Sequence, residues 1–330
     1  MTHLFAVVGE ALIDLMGAPR GSTFEAHVGG SPANVALGLA RLGCPVTLTT
    51  RLGEDAFGQM IVGHLQASGV VVDSGRKPGP PTSLAVATLR AGVASYDFRI
   101  DWDVADLPPL AAKAQCLHTG SLATALPPGN AAVVDLVRRE RERGRVTVSY
   151  DPNVRPALLG EPEQARPDIE QLVGLAHVVK ASDEDLGWMY PEERDEDVAR
   201  RWQSSGPALV VVTRGGRGSF AVTSRVAVQR PAVSVEVVDT VGAGDAFTSG
   251  LLDGLRRNDL LGGTRAAALD DVDEPTVASL LDEAALAAAL TCARPGADPP
   301  TRPELDGGAH LSDESARRRA DRQDRRAGSG

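Results

Sequence analysis

The sequence has few cysteines and lysines, and its net charge is negative. Among its 330 residues are three cysteines, Cys44, Cys116 and Cys292, which are far apart and form no CxxC pair. Free thiols are therefore expected, rather than a disulfide framework or a zinc site. The formal net charge is −10, whereas a nucleic-acid binder needs a basic face to neutralise phosphates. We therefore expect no nucleic-acid partner.

The sequence also lacks the pattern of a signal peptide or a membrane span. Its N-terminus has no basic region and carries Glu10 and Asp14 among apolar residues. We expect no apolar segment as long as the ~18–20 residues that a membrane-spanning helix requires. These absences predict a cytoplasmic protein that does not bind a membrane. The P-loop motif and HExxH are absent, and no GxGxxG follows the first strand, which argues against a dinucleotide-dependent dehydrogenase.

Short apolar strands alternate with helical segments through most of the chain. The patterns predict strands at 4–8, 46–50, 145–150, 177–180 and 208–213, and helices that include 32–43 and 56–69. Continuous apolar strands separated by helices are typical of a parallel sheet covered by helices on both faces. The predicted fold class is therefore α/β with a central, mostly parallel sheet.

Two segments depart from this rhythm. Residues 10–29 and 82–104 contain runs of alternating polarity, which predict antiparallel strands in a small β-sheet that serves as a lid beside the main sheet. From about Asp306 the apolar periodicity stops, so we expect one domain over 1–305 and a disordered tail over 306–330.

Two glycine-containing stretches are candidate binding elements. In GGSPANVA (29–36) the glycines allow close approach of a ligand, Ser31 can cap a helix that starts at Pro32, and Asn34 offers an amide. Asp14 adds acceptor oxygens, and together these groups suit a molecule rich in hydroxyls. The alternative is an ordinary strand-to-helix turn.

In DTVGAGDAF (239–247), the N–H groups of Gly242, Ala243 and Gly244 lie at the positive end of a helix dipole and can bind an anion. The next residue, Asp245, can take the proton from an attacking hydroxyl if the anion is a phosphoryl group in transfer. From the residues alone, Asp245 could equally serve as a helix-start acid that only complements the dipole.

Two strand ends complete the set of motifs. VVVTRGGRGS (210–219) reads as a nucleotide-binding edge or as a plain hairpin turn, and VVKASDEDL (178–186) places acidic residues where magnesium–phosphate sites assemble.

Taken in order over about residues 4–305, these motifs resemble the ribokinase-like, PfkB-type carbohydrate kinases. GGSPANVALGLARLG and DTVGAGDAF are the most specific of them.

The resemblance implies an ATP-binding α/β domain, a lid that closes over a sugar, and a role for each motif residue. It implies sugar contacts by Asp14, Gly29, Gly30, Asn34, Arg99 and Arg155, an ATP site lined by Lys180, Ser182, Thr213, Gly215 and Gly218, an anion hole of Gly242, Ala243 and Gly244, and Asp245 as general base. It further implies Mg²⁺, with Asp185 as a candidate ligand, K⁺ near Asp239, and a homodimer formed through the lid. Asp185 and Ser182 stand where the family usually has the Glu and Asn of an Asn-x-x-Glu motif.

The branch of the family indicates the substrate. GGSPANVA, DPNVRPALL (151–159) and SYDFRIDWDVAD (95–106) look most like fructokinases, which implies ATP-dependent phosphorylation of fructose at a primary hydroxyl. Arg99 and Arg155 also match 2-keto-3-deoxygluconate kinases, in which two guanidinium groups would suit a carboxylate. Another sugar or nucleoside kinase, and a non-catalytic sugar sensor, are the remaining alternatives.

Overall fold

The structure is a computed structural model that describes residues 5–17, 23–75, 80–90, 93–104, 107 and 109–308. The strands in these ranges are β1 (Phe5–Val8), β2 (Leu12–Gly17), β3 (Phe24–Gly29), β4 (Val46–Thr49), β5 (Val71–Asp73), β6 (Leu84–Arg90), β7 (Val93–Arg99), β8 (Cys116–Gly120), β9 (Thr147–Asp151), β10 (Val178–Ser182), β11 (Leu209–Thr213), β12 (Ser219–Val222) and β13 (Ala227–Arg230). The α-helices are α1 (Ser31–Arg41), α2 (Ala56–Ala67), α3 (Leu122–Ala125), α4 (Gly129–Arg143), α5 (Pro156–Leu159), α6 (Pro162–Leu175), α7 (Asp183–Met189), α8 (Asp195–Ser204), α9 (Ala243–Arg257), α10 (Ala266–Asp270) and α11 (Glu274–Cys292).

Nine of the described strands form one large sheet in the order β13-β12-β11-β10-β9-β8-β1-β4-β5. The strands from β11 to β5 pair in parallel, and β12 and β13 extend the sheet as antiparallel strands. The carboxyl ends of the parallel strands therefore meet at one edge, where ligand sites of open α/β sheets are formed. The predicted fold class, with a mostly parallel central sheet, is confirmed.

Side chains of the large sheet alternate between two hydrophobic clusters, one on each face. Phe5 and Val7 of β1 pack into the cluster that includes residues of α1, α9 and α11, whereas Val8 packs into the cluster beneath α4, α6 and α8. Because successive strand residues point to opposite faces, a continuous apolar strand is the pattern of a sheet covered on both sides.

The four-stranded small sheet, called the lid below, has the order β3-β2-β6-β7 and comes from the two segments that departed from the helix–strand rhythm. The outer pairs β2–β3 and β6–β7 are antiparallel as predicted, but the central pair β2–β6 is parallel. The prediction of a wholly antiparallel lid was therefore wrong, because β6 joins the sheet after the chain has passed through α1, β4, α2 and β5.

The last long helix, α11, has the length and mean hydropathy, 1.2, of a membrane-spanning segment, contrary to the expectation that no run would reach that length. Its buried positions, including Leu280, Leu281 and Ala284, pack in the core, and the helix lies against α9. We therefore interpret α11 as a core helix of the domain.

The three cysteines are free, as predicted. Near the end of the described chain, residues 302–308 are helical, and Leu305 is buried against α11. This helix extends three residues past the predicted domain boundary at 305. The rest of the predicted disordered tail, residues 309–330, lies outside the described residues.

Candidate active site

The DTVGAGDAF stretch forms the start of α9. Gly242 is the N-cap, and its φ of +75° is a left-handed conformation that favours glycine. A Cβ at this position would lie 2.6 Å from Cβ of Ala297, so a side chain is excluded by space as well as by conformation. Ala243 N–H donates to Thr240 O at 3.3 Å, while the N–H groups of Gly242 and Gly244 have no partner within the described residues. Unpaired N–H groups at a helix start can bind an anion, and this role stays a prediction here.

Asp245 lies in the first turn of α9 and is buried. Its Oδ1 accepts a hydrogen bond from Ser31 Oγ at 2.6 Å, and its Oδ2 accepts one from Asn34 Nδ2 at 2.9 Å. Burial raises the pKa of Asp245, and the hydrogen bonds from Ser31 and Asn34 and the charge of Lys180 oppose this effect without cancelling it. The carboxylate is thus held in one orientation by the other glycine-containing motif.

The contacts of Ser31 and Asn34 differ from those expected. Gly30, not Ser31, is the N-cap of α1, and no side chain caps this helix; Ser31 is the first helical residue. Because its hydroxyl is not used in capping, it is available to Asp245. Asn34, expected to hold sugar hydroxyls, donates to Asp245. The two motifs therefore meet at one carboxylate, and the sugar contact of Asn34 stays a prediction.

Lys180 lies beside the start of α9. Its Nζ is 2.9 Å from Asp151 Oδ2, and both side chains are almost fully buried. A Cβ added to Gly244 would lie 3.0 Å from this Nζ, which places the ammonium group against the start of α9. Lys180 was expected in the ATP site, and this role stays a prediction. Asp151 was missed, although it directly follows a predicted apolar strand, the position at which ligand-binding acids occur in parallel sheets.

The predicted sugar-binding residues lie on the lid and on the loop after β9. Asp14 lies on β2 opposite His27, and a Cβ on Gly29 would collide with its carboxylate. Burial raises the pKa of Asp14, while Arg155 and His27 act in the opposite direction. Gly30 has a φ of +101° and approaches the backbone of residue 10. The predicted residues Asp14, Gly29 and Arg155 are thus brought together.

The two arginines expected to contact the substrate differ in their surroundings. Arg155 Nη1 donates to Asn153 O, Asn153 Oδ1 and Val154 O at 3.2, 2.7 and 3.1 Å. Arg99, at the end of the edge strand β7, has a side chain that is 74% exposed and pairs with Asp97 at 3.9 Å. The described contacts do not join Arg99 to Arg155.

The predicted ATP edge is formed by the ends of β10 and β11, where Ser182 pairs with Thr213 in the strand register. Thr213 Oγ1 donates to Ala181 O at 3.4 Å. The following turn contains Gly215 and Gly218, with φ of +52° and +96°, and leads into β12, so it is a hairpin turn as well as a candidate nucleotide edge. Arg217 in this turn forms an ion pair with Asp183 of α7.

The two predicted metal ligands are engaged by backbone amides. Asp185 and Ser182 form a capping box: Asp185 Oδ2 accepts from Ser182 N, and its Oδ1 accepts from Val154 N, both at 2.8 Å. Asp239 accepts from Val241 N at 3.1 Å and from Gly296 N at 2.8 Å. Within the described residues, no group of three or more His, Cys, Asp or Glu could hold a metal ion. Metal binding by either carboxylate stays a prediction.

The two-sheet α/β fold and the buried aspartate at a glycine-rich helix start together define the class of protein. The chain matches the model of the pfkB family carbohydrate kinases over residues 2–304, and it belongs to that family, whose members transfer a phosphoryl group to a sugar hydroxyl. The resemblance noted in the sequence is thereby confirmed.

The similar proteins are largely fructokinases. A fructokinase of Rhizobium leguminosarum bv. trifolii is 33% identical over 274 residues, which cover 80% of this chain and 83% of that protein. The structure of a fructokinase with bound ATP from Xylella fastidiosa has a TM-score of 0.85 at 28% identity and covers 95% of this chain and 100% of its own. The structure of a Vibrio cholerae O395 fructokinase with fructose, ADP and calcium ion has a TM-score of 0.75 at 29% identity. The match covers 90% of this chain and 94% of the Vibrio cholerae chain.

Proposed function

We propose that this protein is an ATP-dependent fructokinase that converts fructose to fructose 6-phosphate. The observation that carries the proposal is Asp245, a buried carboxylate fixed by Ser31 and Asn34 beside the N–H groups of a glycine-rich helix start. The similarity to fructokinases, one of them solved with fructose and ADP, supports fructose as the substrate.

The proposed step is an in-line transfer of the γ-phosphoryl group. Asp245 takes the proton from the sugar hydroxyl, a bond forms between that oxygen and the γ-phosphorus, and the bond from phosphorus to the β,γ-bridging oxygen breaks, releasing ADP. The N–H groups of Gly242, Ala243 and Gly244 and the ammonium of Lys180 neutralise charge on the transferred group. The lid, which carries Asp14, would hold the sugar and exclude water.

Magnesium is best regarded as part of the nucleotide substrate. In the described residues the carboxylate oxygens of Asp185 already accept backbone hydrogen bonds, and no cluster of protein ligands for a resident metal is present. Mg²⁺ commonly binds through substrate phosphates and water with one or two carboxylates, which agrees with this set of residues. No step above depends on a protein-bound metal.

The surroundings of the arginines favour a neutral sugar over 2-keto-3-deoxygluconate. A sugar acid would need guanidinium groups that are free to pair with its carboxylate. Arg155 is instead bonded to its own loop, its charge opposes the rise in the pKa of Asp14, and Arg99 is exposed at the lid edge beside Asp97. A site in which Asp14 faces the substrate would repel a carboxylate.

Three further features are part of this proposal. Asp239 and the backbone at Gly296 would hold a monovalent cation, and one Vibrio cholerae fructokinase variant was solved with a potassium ion. A homodimer through the lid would cover its edge strands, near which Met16 and Phe24 are about half exposed. The third feature is a cytoplasmic location.

A coupled ADP-release assay tests the proposal with fructose, 2-keto-3-deoxygluconate, ribose and adenosine as acceptors. We expect ADP release that depends on fructose and a product identified as fructose 6-phosphate. Turnover of 2-keto-3-deoxygluconate alone would refute the fructokinase assignment and leave the kinase assignment intact. Sugar binding without ADP release from any acceptor would support a sensor.

A further inference from the structure

A buried ion pair joins Asp151, the last residue of β9, to Lys180 in the middle of β10. Lys180 Nζ and Asp151 Oδ2 are 2.9 Å apart, and their side chains are 6% and 1% exposed. Removing two charges from water is costly, and a buried pair is often no more stabilising than apolar residues of similar volume. Stability alone is therefore a poor reason for this pair, and its position beside the start of α9 indicates a role in the reaction.

The pair is packed against the start of α9. The Lys180 ammonium lies 3.0 Å from the position that a Cβ of Gly244 would occupy. Thr248, one turn further along, donates to Gly244 O at 3.0 Å, and its hydroxyl is 3.5 Å from Asp151 Oδ2. Glycine at 244 therefore leaves room for the ammonium beside the anion-binding amides.

Four ionisable groups surround the ammonium. Burial lowers the pKa of Lys180, but Asp151, Asp185 and Asp245 outweigh it, and the pKa is raised overall. On β8, burial and the charge of Lys180 lower the pKa of His118 to about 3, so that imidazole is neutral. Asp151 is the largest of the effects that raise the pKa, and it alone of these groups forms a hydrogen bond with Nζ.

We infer that Asp151 is a positioning residue for phosphoryl transfer: its hydrogen bond holds the Lys180 ammonium beside the anion hole, where the ammonium meets the transferred phosphoryl oxygens. This inference rests on the proposed kinase function. Asp151 touches neither sugar nor nucleotide in this role, and it acts through Lys180.

A purely structural role for Asp151 has to be distinguished from this one. Asp151 Oδ1 also accepts from Asn153 N at 3.2 Å, at the start of the loop that carries Arg155. If Asp151 only shaped this loop, its removal would change the KM for the sugar. If it acts through Lys180, its removal would mainly lower kcat and would have no effect once Lys180 is gone.

The test is a double-mutant cycle on the full chain with Asp151→Asn, Lys180→Met and the double variant, assayed with fructose and ATP. We expect each single variant to lower kcat by about 10²-fold or more, with a change in KM for fructose below about threefold. The double variant should be no slower than Lys180→Met. In Asp151→Asn, the pKa of Lys180 falls, so the alkaline limb of the kcat profile moves to lower pH.

Asp253→Asn is the matched control, because Asp253 is another fully buried aspartate in ion pairs, with Arg256 and Arg302, outside the site. It should lose stability with no shift of the alkaline limb. The double variant, which retains neither buried charge, covers the case in which a single variant does not fold.

A multiplicative loss in the double variant, an unshifted alkaline limb, or a change confined to the KM for fructose would each overturn the inference. If the wild type phosphorylates another acceptor in place of fructose, the fructokinase proposal fails and the same cycle is run with that acceptor. If no acceptor is phosphorylated, the inference fails together with the kinase proposal.

Discussion

Replacing Glu10 by Gln is expected to change how the stability of the protein depends on pH. Glu10 follows β1 where the chain passes into the lid, is 3% exposed, and accepts a hydrogen bond from Ala123 N at 3.0 Å. Burial raises the pKa of Glu10 from 4.5 to about 7. Hydrogen bonds with its own backbone, with the Ser121 side chain and with the Ala123 backbone lower this pKa in part, as does the charge of Arg155.

The magnitude follows from linkage between protonation and folding. The folded protein binds the proton of Glu10 more tightly than the unfolded chain does, so this group contributes stability below pH 4.5 that is lost as the pH rises through about 7. The difference between these values corresponds to about 3 kcal/mol, at ~1.4 kcal/mol per pH unit. Gln cannot ionise. The free energy of unfolding of Glu10→Gln minus that of the wild type should therefore rise by about 3 kcal/mol across this range.

Urea denaturation of the ligand-free protein at several pH values measures this difference. Glu304→Gln is the control, because hydrogen bonds from the backbone and side chain of Thr301 lower the pKa of Glu304 to about 2. Its contribution is lost only as the pH falls below 4.5, so the difference for that variant should be flat between pH 4.5 and about 7. A flat difference for Glu10→Gln as well would refute the conclusion that Glu10 takes up a proton near neutral pH.

Three other substitutions test the roles of residues in the candidate active site. Ser31→Ala removes a hydrogen bond that holds down the pKa of Asp245, so the acid limb of the kcat/KM profile should move to higher pH; an unmoved limb would contradict this. Gly242→Ala places a methyl group against Ala297 in a left-handed conformation, which should lower kcat by about 10²-fold or more and reduce Tm; wild-type activity would contradict the assigned anion hole. Arg155→Ala should raise the KM for fructose more than the KM for ATP, and equal changes in steady-state assays would argue against a sugar contact.

Much of the fold could be predicted from local sequence patterns. The strand at 208–213 and the helix at 56–69 agree with β11 and α2 to within a few residues, because apolar runs and helical periodicity record burial directly. The parallel pairing of β2 with β6 could not be read in this way. It depends on how segments separated by α1 and α2 meet, and local alternation does not encode the partner of a strand.

In the candidate site, too, local features could be predicted from the sequence and long-range contacts could not. Asp245 could be proposed as a base because the glycine pattern and the helix start are contiguous in sequence. The contact between Ser31 and Asp245 joins residues 214 positions apart, and capping was a sufficient local explanation for Ser31. Asp151 was missed for a similar reason, since its partner Lys180 belongs to the neighbouring strand.

The variant Asp245→Asn tests whether Asp245 is the base that activates the sugar hydroxyl. The amide keeps the shape of the side chain and cannot accept the proton. We expect kcat with fructose to fall by about 10²–10⁴-fold while the KM for ATP and the Tm stay close to those of the wild type. A variant that retained wild-type kcat would show that Asp245 is not the base.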